Sequence, residues 1–217
     1  MTTGQIPQAA ADRIERELVG RYHLLVTAKT GAVWQAVSAA FDLLRVVGVK
    51  GLPTGHDFAH RFGTSLGPVV VLPDAPLSTA ERVCLLAHEA EHARQFFSAP
   101  GEMPVRYLSI PEARGSHYEA PAYAISYALH WALTGELPAT PQDLPGALAW
   151  GYALGAADVA HCRVALEQHA TAISYGLIPE GPARVVLSIL AADAPEAFDP
   201  GALALIRAHC PDALVLP

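Results

Sequence analysis

The stretch from Ser78 to Phe97, STAERVCLLAHEAEHARQFF, constrains this chain more than any other. It opens with Ser78-x-x-Glu81, a capping box in which a hydroxyl and a carboxylate satisfy two of the orphan amides at a helix start. It stops ahead of Pro100 and Gly101, which cannot continue a helix. The spacing therefore predicts a helix over 79–97. Leu85, Leu86, Ala87, Ala90, Ala93 and Phe97 give it apolar girth on several sides, so it has to be buried. The same helix carries His88, Glu89, Glu91 and His92. Paired imidazoles taken out of water are costly unless something pairs with them. Whatever the rest of the chain folds into must bring that partner.

The remaining composition supplies the means. With 217 residues, 52% of them hydrophobic and 16% charged, the chain buries a substantial core, and one compact domain over 1–217 is expected. Formal net charge is −7, which argues against a nucleic acid as partner. Cys84, Cys162 and Cys210 are odd in number and widely spaced, which suits neither a disulfide framework nor a cysteine zinc cluster and points to a reducing, cytoplasmic setting. Asp12, Arg13, Glu15, Arg16 and Glu17 fall where a signal peptide would be most apolar, so export is not expected. The longest uncharged apolar stretches, 120–135 and 144–157, fall short of the roughly 18 residues of a membrane span and read as buried helix.

Abundant Ala with few β-branched residues makes the expected fold α+β and mostly α-helical. Amphipathic helices are expected from Ala9 to about Tyr22 and from Val33 to Val47, the second spaced by Val37, Phe41, Leu44 and Val47 and broken at Gly48 and Gly51. Residues 51–68 read as a Gly- and Pro-punctuated connection. Val69 to Leu72 is the clearest strand, and its flanking Pro68 and Pro73 predict a sheet edge. Pro104 to Ile110 reads as a second strand or an extended loop. A helix follows from near Ser116 to Leu133, with Pro121 in its first turn, and 140–217 form a further helical region.

His88, Glu89, Ala90, Glu91, His92 is an H-E-x-x-H pattern. On a helix, His88 and His92 stand one turn apart on one face, and both nitrogens can reach a zinc ion at about 2.0–2.1 Å. Glu89 stays beside that ion, placed to take a proton from an activated water. A shuffle of this composition yields the pattern about once in forty, so the capped, strand-preceded helix around it carries much of the weight. A third ligand is required. The positions three and six beyond His92 are Gln95 and Ser98, which excludes the metzincin pattern. The route left is a carboxylate from the next helix, and Glu119 heads it, with Glu112 on a Pro-flanked loop as the less rigid alternative. Glu91 is expected to face away from the two His, toward solvent. His117 is an alternative ligand, a carbonyl-polarising group, or a capping or surface residue. Tyr118 and Tyr123 are candidates to hydrogen-bond an oxyanion. The pair His56 and His60 lacks the following Glu, His161 and His169 have no demanding spacing, and Cys84 reads as a small buried hydrophobe. Gly151 and Gly155 read as close helix packing.

LLAHEAEHARQF followed by HYEAPAY resembles the gluzincin class of zinc metallopeptidases, especially its small, cut-down members, over about Val69 to Leu133. The resemblance implies a zincin-like core in residues 69–133, with a small sheet ahead of the active-site helix, an edge strand that aligns substrate backbone, and a helical C-terminal half. It implies one zinc ion held by His88, His92 and Glu119, Glu89 as general base, and a peptide or protein as substrate. The second helix of that class usually reads E-x-x-x-D, with the Asp orienting a ligand His; position 123 here is Tyr, whose phenol would have to serve instead. Two other readings remain open at this point: a non-catalytic or regulatory zinc-binding module that keeps the site, and a helical interaction protein without metal.

Overall fold

The computed structural model describes residues 5–46, 54, 56, 64–74, 76–110, 113–137 and 156–216. It is mostly helical with one small sheet. The order is α1 (Gln8–Arg21), β1 (Leu25–Ala28), α2 (Ala32–Val46), β2 (Thr64–Leu66), β3 (Val69–Leu72), α3 (Thr79–Ser98), α4 (Glu102–Ser109), a π-helical segment (Ala113–Glu119), α5 (Ala120–Thr134), α6 (Ala156–Ser174), α7 (Pro182–Asp193) and α8 (Pro200–His209). Short 3-10 turns at Pro195–Ala197 and Pro211–Leu214 follow α7 and α8.

The sheet corrects one expectation. Val69–Leu72 is its central strand, not an edge: the order is β1-β3-β2, with β1 parallel to β3 and β2 antiparallel. The two prolines do not prevent this because both lie just outside the paired residues. Pro68 contributes its carbonyl to the Leu25 N–H at 2.8 Å, and Leu72 accepts from the Lys29 N–H at 2.9 Å before Pro73 begins. Val70, Val71 and Leu72 are all buried, the continuous apolar run of a strand flanked and covered rather than the alternation of an exposed one. Its neighbours are four and three residues long, too short to stand out by periodicity.

Pro104 to Ile110 is the second correction. It is neither strand nor loop; α4 occupies Glu102–Ser109, with Pro104 the third residue of its first turn, where a missing N–H removes no helical bond.

The capping box forms as the sequence predicts. Ser78 Oγ accepts from the Glu81 N–H at 3.3 Å, and Glu81 Oε2 accepts from the Ser78 N–H at 2.8 Å. Helix α3 then runs down the middle of the molecule, packed against β2 and β3 on one side and α1, α5 and α7 on the others. A continuous core that includes Ile14, Leu18, Leu86, Ile125, Leu129, Leu166, Ile189 and Ile206 surrounds it. The C-terminal helices close this core, α6 and α7 against α5 and α7 against α3. Cys84, Cys162 and Cys210 form no disulfide. No helix among the described residues is long and apolar enough to cross a membrane.

Candidate metal centre

Three side chains from two elements meet at the middle of α3. His88 and His92 stand one turn apart with ring centroids 5.0 Å from each other. Their Nε2 atoms lie 3.9 and 3.7 Å from Glu119 Oε2. All three residues are buried, Glu119 with 1% of its surface exposed. Glu119 comes from the π-helical segment, whose last residue it is. That wider turn is held from behind by Cys162 of α6, whose Sγ donates to the Gly115 carbonyl at 3.5 Å. Such π-turns inside helical runs recur where a side chain has to be aimed rather than packed. Pro121, in the first turn of α5, sits where its missing N–H costs no helical bond.

The fit to a metal can be tested on these atoms. Tetrahedral bonds of about 2.0–2.1 Å put ligand atoms roughly 3.3–3.4 Å apart. The observed separations are a few tenths of an ångström wider, and the three donor atoms all lie within 4.8 Å of one another. Two imidazoles and one carboxylate in a dry setting form a donor set that suits a divalent cation, since an ion supplies the counter-charge that burial denies.

The rear of each imidazole is also engaged. Gln95 Oε1 lies 3.1 Å from His92 Nδ1. On the His88 side, Ser126 Oγ lies 3.4 Å from Nδ1, and the Ala122 carbonyl hydrogen-bonds the same ring. The orienting groups are therefore Gln95, Ser126 and a backbone carbonyl. Tyr123 instead packs its ring edge-to-face on His88, centroids 4.7 Å apart.

No family model, curated protein or solved structure matches this chain. The site stands on its own geometry.

Electrostatics separate its members. Burial, reinforced by neighbouring His92, holds His88 down at about 3. Burial also opposes a charge on His92, but the Glu119 carboxylate outweighs it, helped by Glu89 and Gln95, and lifts His92 to about 9. Glu89 is buried beside them; desolvation, opposed by His92 and Lys29 and reinforced by Glu119, raises its carboxyl to about 7. Burial, with Glu119 and Glu89 adding to it, pushes the Tyr123 phenol far above its ordinary value, so it remains a hydrogen-bond donor. The Cys84 thiol is pushed up to about 12, chiefly by burial, and stays outside the ligand group, as a small hydrophobe would.

Glu91 is a correction. Far from being solvated it is 1% exposed, because Arg94 and the backbone at Gly181, just ahead of α7, close over it. Arg94, three residues on, pairs with both of its oxygens at 2.7 Å. His117 is exposed and shares a hydrogen bond of 3.2 Å with Ser116 Oγ. Tyr118 is buried, and its carbonyl accepts from Gln95 Nε2 at 3.0 Å. His161 is exposed, and His169 is half-buried, lowered by burial and opposed by the charge of Glu91. His56 is exposed; His60, Glu112, Gly151 and Gly155 lie outside the described residues.

Sequence reasoning missed Lys29, Gln95 and Ser126. Gln95 was within reach of it: three residues past His92 on the same helix is one turn away. Ser126 lies two turns past Glu119, a spacing that could have marked it. Lys29 carried no such signal, since its place beside Glu89 depends on the β1–β3 pairing.

Proposed function

We propose that this chain is a zinc-dependent peptide-bond hydrolase, a small gluzincin-like enzyme on a zincin-like core. The observation that carries the reading is the convergence of His88, His92 and Glu119 within one buried cluster, with the Glu89 carboxyl beside it. His88, His92 and Glu119 would hold the ion. When bound, zinc supplies a Lewis acid that polarises a carbonyl and acidifies water.

The chain's own residues do the rest. Glu89, whose carboxyl is raised to about 7 in the metal-free chain, takes the proton of the attacking water and returns it to the leaving amine. The Tyr123 hydroxyl, kept protonated by its surroundings, donates a hydrogen bond to the developing oxyanion. Tyr118 and His117 are the weaker candidates for that donor, the first engaged through its carbonyl and the second exposed. β2 is an edge of the sheet and packs on α3, so it is the strand suited to align an extended peptide by backbone hydrogen bonds.

One observation favours a second reading, a non-catalytic zinc-binding module. His88, Glu89, His92 and Glu119 are all buried, whereas a catalytic ion needs one position open to substrate. The two readings part at Glu89. Zinc-loaded protein incubated with a broad peptide library should cleave it, and Glu89→Gln should keep its zinc while losing about 10²–10⁴-fold in rate. Cleavage retained by Glu89→Gln contradicts the assigned base. Zinc-loaded wild type that cuts nothing favours the module.

A further inference from the structure

We propose that Gln95 is the positioning residue of this centre, holding His92 as the Nδ1–H tautomer so that Nε2 is left bare toward Glu119, and that Glu91 and Arg94 serve to keep Gln95 in that orientation. The inference rests on the metal-centre reading above and adds to it the device that presents one of the ligands.

The hydrogen bonds leave Gln95 little choice. Its Nε2 donates to the Tyr118 carbonyl at 3.0 Å and to Glu91 Oε1 at 3.3 Å. Both of those partners are acceptors only, so the nitrogen must face them and the amide cannot flip. Oε1 is then fixed toward His92 Nδ1, 3.1 Å away. An amide oxygen accepts and never donates, so Nδ1 must carry the proton. The lone pair of the neutral ring is consequently on Nε2, the atom 3.7 Å from Glu119 Oε2. A ligand imidazole needs its ring nitrogens assigned in this way before it can bind a cation.

Glu91 is the reason the amide stays put. A carboxylate that is 1% exposed requires a counter-charge, and Arg94 provides it through two hydrogen bonds of 2.7 Å in the fork geometry that carboxylates favour. The chain closes over this pair at the start of α7. Gly181 has φ of +86°, and a Cβ there would stand 3.2 Å from Arg94 Cδ and 3.4 Å from Glu91 Oε2. A bare backbone at that position lets α7 approach the ion pair. The line from Gly181 through Arg94, Glu91 and Gln95 to His92 thus ties a ligand to the C-terminal half of the molecule.

The test reads the tautomer directly. In metal-free protein, titrated upward until the ring carries a single proton, ¹⁵N NMR of the histidine rings should show His92 protonated at Nδ1 and unprotonated at Nε2. Gln95→Leu should abolish that preference and weaken zinc binding by about 10–100-fold in chelator competition. A residue that only fills space would change the melting temperature and leave the tautomer alone. Gln95→Leu with the Nδ1–H form intact and zinc affinity within about twofold of wild type overturns the proposal. If that variant does not fold, the wild-type spectrum decides, since a His92 protonated at Nε2 overturns it equally. Wild type that takes up no zinc defeats the metal-centre reading, and the spectrum then judges the role of Gln95 by itself.

Discussion

Lys29 shows how strongly single side chains feel this interior. It is 3% exposed at the end of β1, and burial lowers its ammonium to about 8, with the Glu89 carboxylate opposing the shift. A lysine whose affinity for a proton falls on folding binds fewer protons folded than unfolded between about 8 and its ordinary 10.5. Stability therefore rises with pH across that window and is reduced below it. Lys29→Met removes the effect. Its melting temperature should exceed that of wild type by the largest margin near pH 7, and the margin should shrink as pH climbs toward 10.5; a margin independent of pH contradicts the account. The residues of the site were unequally legible in the sequence. His88, Glu89 and His92 declare themselves because one helical turn determines their relation. Glu91 was misjudged because helical phase says only that it points away from the two imidazoles, and it happens to point into α7 and Arg94 instead of water.

At the scale of elements, the helices carried their own punctuation. The Ser78 to Glu81 box, the stop at Pro100 and the early Pro121 act within a few residues of chain, and α3 and α5 lie close to where those signals put them. The sheet was illegible for the opposite reason: β1 and β2 offer seven residues between them, and what makes each a strand is β3, more than forty residues beyond β1 and adjacent to β2. Pairing, not local propensity, decides such cases. The capping box also yields a prediction. Ser78→Ala should destabilise the protein by about 1 kcal/mol, because it strands the Glu81 N–H that Ser78 Oγ now satisfies. Denaturant unfolding measures it. A loss indistinguishable from zero would mean that tertiary packing alone holds the start of α3.

For the whole molecule, the candidate centre joins two parts of the chain that also meet through apolar packing and the Arg13–Asp193 ion pair. His88 and His92 belong to the helix that follows the sheet, and Glu119 leads into the helices that build the C-terminal half. Gln95 adds a polar tie in the same place by bonding both to His92 and to the Tyr118 carbonyl. Nothing in the spacing of the sequence fixes that meeting; the 27 residues from His92 to Glu119 contain α4 and a π-turn, neither of which periodicity predicts. The account therefore depends on one coordination sphere. X-ray absorption at the zinc edge, on protein loaded with one equivalent of metal, examines it most directly. It should show two imidazole nitrogens at about 2.0–2.1 Å with carboxylate oxygen completing the protein ligands, and that sphere should be lost in His88→Ala and lose its carboxylate in Glu119→Ala. Protein that retains no zinc, or a spectrum that Glu119→Ala leaves unchanged, would contradict it.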